Sequence, residues 1–84
     1  MKASKIRNRV RAAEKLLATP LIQARTPAAD KARACLIRQL HYAEQILAAI
    51  REGEDYRVLY GALELNAVAR ERALKELRQE SANG

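Results

Sequence analysis

Phenylalanine and tryptophan are absent from this 84-residue chain, and the aromatic residues are three tyrosines. No cluster of aromatic rings is therefore at hand on which nucleic-acid bases could stack. A single cysteine, Cys35, excludes an intramolecular disulfide framework and fits a reducing cytosol. A single histidine, His41, excludes a multi-histidine metal site within one chain. It follows Cys35 by six residues, which puts the two on different faces of a helix, so neither a metal site nor a Cys–His nucleophile is expected. Three scattered glycines offer no loop to cradle a phosphate or an oxyanion. The expectation is a protein that is not an enzyme and takes no cofactor and no metal.

Long apolar runs are missing as well. No stretch approaches the roughly 20 residues that cross a bilayer, and Met1-Lys2-Ala3-Ser4-Lys5 leads into a charged segment rather than a signal-like apolar run. A cytoplasmic protein is expected, without membrane attachment. Acidic groups are scarce in the front half. Residues 1–50 carry ten Lys and Arg against three carboxylates, whereas residues 51–84 carry six against seven, for a chain total of +6. Such an imbalance suits an acidic partner or nucleic acid.

Helical periodicity fills the rest of the sequence. Leu36, Leu40, Ala43, Leu47 and Ile50 step by four and three, keeping one helix face apolar over about four turns. Thr26-Pro27 supplies a cap and a pre-organised first residue, and Gly53 a left-handed stop, predicting a helix over 27–52. Asp55 is the candidate cap of a third helix, over 56–80, with Val58, Leu59, Ala62, Leu65, Ala69 and Ala73 as its stripe. Leu63, Ala67, Leu74 and Leu77 widen that stripe, and Gly61 inside it suggests a close helix crossing. The short Gly53-Glu54-Asp55 connection makes helices two and three an antiparallel hairpin. Ahead of it, Ser4 caps a basic helix over 5–19 with the seam Ile6, Val10, Ala13 and Leu17, which Pro20 ends. Leu21 and Ile22 are expected to tuck onto the core, and residues 1–3 and 81–84 to fray. The fold class is thus all-α, one domain of three helices.

The apolar share is 49%, yet 17 of those residues are alanine and 19 are Leu, Ile or Val. Small side chains bury little area, so a homodimer or a complex with another protein is expected to complete the core. Tyr56, Arg57 and Tyr60, with Tyr42 across the hairpin, form the candidate partner-binding cluster, because Tyr and Arg are enriched at interface hot spots; the equal alternative is that the tyrosines seal the hairpin end over the Ala-rich core. Lys5, Arg7, Arg9, Arg11 and Lys15 form the alternative site, rows of cations able to follow a phosphate backbone. Glu52, Glu54 and Asp55 lie together, but capping at a helix turn explains them without acid–base chemistry. The function these features favour is regulation or inhibition through protein binding, as by a phage- or plasmid-encoded modulator of a host protein. Nonspecific nucleic-acid binding is the alternative.

Overall fold

A computed structural model describes residues 3–83. It contains α1 (Ala3–Leu17), α2 (Pro27–Glu52) and α3 (Arg57–Asn83), with no strand among the described residues. The molecule is elongated, 48 × 20 × 16 Å, and both α1 and α3 pack against α2.

Local chemistry sets the helix ends. Thr26 holds an extended backbone while its hydroxyl accepts the N–H of Ala29 at 3.2 Å, and Pro27 opens α2 as predicted. Gly53 ends it at φ 71°, in the left-handed region that a Cβ disfavours. The N–H of Glu54 reaches the Ala49 carbonyl at 2.8 Å, and that of Gly53 reaches Ile50 at 3.3 Å, the pair of bonds of a Schellman close. Asp55 Oδ1 then accepts the N–H of Arg57 at 3.0 Å where α3 begins. Ser4 departs from expectation. It lies inside the first turn of α1, one residue past the start, and so does not cap it.

α1 also stops at Leu17 rather than Thr19, because the Thr19 N–H and hydroxyl both turn back onto the Leu16 carbonyl, at 3.0 and 2.6 Å. Of the two residues expected to tuck in after Pro20, Ile22 is buried and Leu21 is exposed. Arg33 clamps that connection, donating to the carbonyls of Ile22 at 2.7 Å and Ala24 at 3.0 Å while pairing with Asp30. At the other terminus α3 continues through Ser81 and Ala82 to Asn83, beyond the expected end at Glu80. Ala3, expected to fray, already belongs to α1, and Met1, Lys2 and Gly84 lie outside the described residues.

The core is two apolar clusters. One gathers Ala13, Ile22, Ala29, Ala32, Leu36, Leu74 and Leu77. The other, toward the hairpin turn, gathers Ile6, Ala43, Ile46 and Leu63. In sequence Gln39 falls between the two clusters on α2 and Asn66 on α3, and both amides are buried. Gln39 Nε2 donates to the Arg9 carbonyl of α1 at 2.8 Å, and its Oε1 accepts from Arg70 of α3. Asn66 Nδ2 donates to the Cys35 carbonyl at 2.8 Å, and its Oδ1 accepts from Arg38 Nε at 3.1 Å. Buried polar groups are stable only when paired. These bonds therefore fix the register of all three helices, since sliding one helix by a turn would break them.

Candidate functional site

The expected tyrosine cluster forms, but facing inward. Tyr42, Tyr56 and Tyr60 are half-buried and pack against the cluster of Ile6, Ala43, Ile46 and Leu63. Arg57 is exposed and lies on Asp55, its Nη2 2.9 Å from Oδ2. That guanidinium, and secondly the Arg57 N–H, hold the Asp55 carboxyl below its ordinary value. The three tyrosines thus seal the hairpin end, and Arg57 stands apart from them.

The basic set divides as well. Lys5, Arg7, Arg11 and Lys15 are exposed, and among the described residues none makes an ion pair. Arg9 is half-buried, pairs with Glu64 of α3, and sits 6.0 Å over the ring of Tyr60. It joins the two expected sites as a strut between α1 and α3. Cys35 is buried and His41 exposed, so the thiol and the imidazole do not meet.

A further surface lies on the outer side of α3, where Val58 is 87% exposed, Leu65 75% and Val68 54%. Two interleaved seams explain it. Tyr56, Leu59, Leu63, Asn66, Arg70, Ala73 and Leu77 step by three and four and face the core, all buried or half-buried. Val58, Ala62, Leu65, Ala69, Arg72 and Glu76 step by four and three along a neighbouring line, and all but Ala62 are exposed. The predicted stripe merged these seams: Leu59, Ala62 and Ala73 face inward in whole or part, whereas Val58, Leu65 and Ala69 do not. Beside the outer seam, α2 and α3 enclose a groove of about 400 Å³. Ala34, Cys35, Ala69 and Ala73 form its floor, Lys31, Arg38, Arg72 and Glu76 its rim, and no α1 residue lines it.

Gly61 edges this surface, and nothing lies within 4 Å of where its Cβ would be, so no helix of this chain crosses there. The four–three spacing of Val58, Ala62, Leu65 and Ala69 is legible in the sequence, but nothing in it separates this outward line from the inward one through Leu59, Leu63 and Asn66. No helix among the described residues is long and apolar enough to cross a membrane. The chain matches no protein-family model, no curated protein and no solved structure.

Proposed function

We propose that this chain is a non-catalytic regulatory or inhibitory protein that acts by binding another protein through the outer face of α3. The carrying observation is the exposure of Val58, Leu65 and Val68 on one helix beside an apolar-floored groove. Large apolar side chains grouped on a surface mark interaction sites more often than chance exposure does. Arg57, exposed next to Val58, extends that face toward the hairpin turn. In this reading the tyrosines stiffen the scaffold, and the free buried thiol of Cys35 suits the cytoplasm. The test is affinity capture from source cells after nuclease treatment, comparing the wild type with a Leu65→Asp/Val68→Asp variant. A stoichiometric protein held by the wild type and lost from the variant is expected. Equal capture by both, or loss of all capture on nuclease treatment, would overturn the reading.

A second reading rests on Lys5, Arg7, Arg11 and Lys15, which are exposed on α1, make no ion pair among the described residues and so remain available to phosphates. It predicts duplex binding that weakens steeply with salt, and a log–log slope reduced by about one for each cation neutralised. A slope indifferent to these substitutions removes it.

A further inference from the structure

We infer that the groove between α2 and α3 receives an acidic amphipathic helix of a partner protein. The inference rests on the protein-binding reading above and names the occupant. A seam of four–three spacing is the geometry by which one helix packs on another. From Val58 to Glu76 the seam spans about 27 Å, the length of about 18 helical residues, and its Ala69–Glu76 end lines the groove. The floor is made of small side chains, Ala34, Cys35, Ala69 and Ala73. A helix can approach such a floor closely and fill it with bulky apolar side chains of its own.

Charge identifies the rest of the partner. Of the four charged residues on the rim, Glu76 is the one anion, and it already faces Lys31 at 3.7 Å. Arg38 is held by the neutral Asn66 amide, and Arg72 makes no ion pair among the described residues. Two guanidinium groups therefore border an apolar floor with no carboxylate to balance them, and Glu or Asp flanking the partner's apolar stripe would do so. One pairing with a second copy of this chain leaves the arginines unbalanced. Antiparallel pairing of two α3 seams with Leu65 set against Ala69 brings Arg72 level with Ala62, where no carboxylate waits.

The experiment uses the full chain and two labelled helical peptides, one patterned with Leu and Glu and one with Leu and Lys, read by fluorescence anisotropy. The Leu/Glu peptide is expected to bind, to weaken as salt rises, and to exceed the Leu/Lys peptide by about tenfold or more. Ala69→Glu and Arg72→Glu, each verified as folded by circular dichroism, should each weaken it by a similar factor. Equal binding of both peptides, or indifference to Ala69→Glu, overturns the inference. A dimer in analytical ultracentrifugation that Leu65→Asp dissociates would also overturn it and give the outer seam to a second copy. If the Leu/Glu peptide fails to bind while Leu65→Asp/Val68→Asp still abolishes protein capture, the protein-binding reading stands and the acidic helix falls.

Discussion

Gln39 of α2 donates its side-chain amide to the backbone carbonyl of Arg9 in α1, 2.8 Å away, from a position that is almost wholly buried. Since its oxygen also accepts from Arg70 of α3, one side chain ties three helices together. Gln39→Ala leaves the Arg70 contact unmade and a void beside Leu36 and Ala43. The expected cost is about 2–3 kcal/mol, seen as a lower urea midpoint. In a double-mutant cycle Gln39→Ala and Arg70→Met should be non-additive. Additive losses would show that the two side chains are not coupled.

The two helix-associated glycines should respond with opposite sign. Gly53 sits at φ 71°, so Gly53→Ala forces a Cβ into the left-handed region and costs about 1 kcal/mol. Gly61 lies within α3 with open space around its Cβ, so Gly61→Ala adds helix propensity and stabilises by about 0.5–1 kcal/mol. Thermal melts resolve both, since about 1 kcal/mol moves the midpoint by roughly 4–8 °C in a domain this small.

Asp55 gives the fold a pH dependence of known sign. The Arg57 guanidinium and then its N–H lower the folded carboxyl below the ordinary 3.8. The ionised form therefore stabilises the folded chain above that ordinary value, and this contribution is lost as pH falls through the lowered folded one. Asp55→Asn, which keeps a capping side chain, should flatten that part of the acid limb of stability. In a carbon-detected NMR titration, Arg57→Ala should move the Asp55 midpoint up toward 3.8. An unmoved midpoint would separate the two residues.

On α1, Arg9 and Arg11 should behave differently although both are arginines of the basic set. Arg9 meets Glu64 and the Tyr60 ring while half out of water, so Arg9→Ala should cost about 1 kcal/mol. Arg11 is exposed and makes no ion pair among the described residues, and Arg11→Ala should fall within about 0.5 kcal/mol of the wild type. Denaturation of the two variants side by side checks this.

These contrasts also show what the sequence could reveal. Thr26-Pro27 and Gly53 act through their own backbone geometry, so α2 was legible to the residue. Periodicity placed α1 and α3 within a few residues of their ends. It also found the inward seams of α1 and α2, whose predicted residues are all buried or half-buried, and failed on α3, where Asn66 and Arg70 stand on the inner line and Val58, Leu65 and Ala69 face out. Gln39 and Asn66 occupy core positions that read as surface, since their partners, the Arg9 and Cys35 carbonyls, are 30 and 31 residues away in the chain. The inner face of α2 carries the predicted Leu36 and Ala43 together with Cys35, Gln39 and Ile46, with Leu40 and Leu47 half-buried on its flank. The tyrosines read equally well as a partner surface or as a seal over the hairpin end, because nothing local says that Ile6 will come to lie near Tyr56.

Leu63 and Leu65 put this distinction to its sharpest test. They are two residues apart on α3, chemically identical, and 1% and 75% exposed. Leu63 packs among Ile6, Ala43 and Ile46, so Leu63→Ala removes buried methyl groups and leaves a cavity, at a cost of about 3 kcal/mol. Leu65 touches little of its own chain, and Leu65→Ala should change stability by less than about 0.5 kcal/mol. If the outer seam holds a partner, binding should follow the reverse order, with Leu65→Ala weakening it at unchanged fold. Leu63→Ala should then retain affinity at temperatures where it stays folded. Equal stability losses at the two positions would mean that Leu65 is covered within the chain's own solution state, and the outer seam would no longer be a free surface.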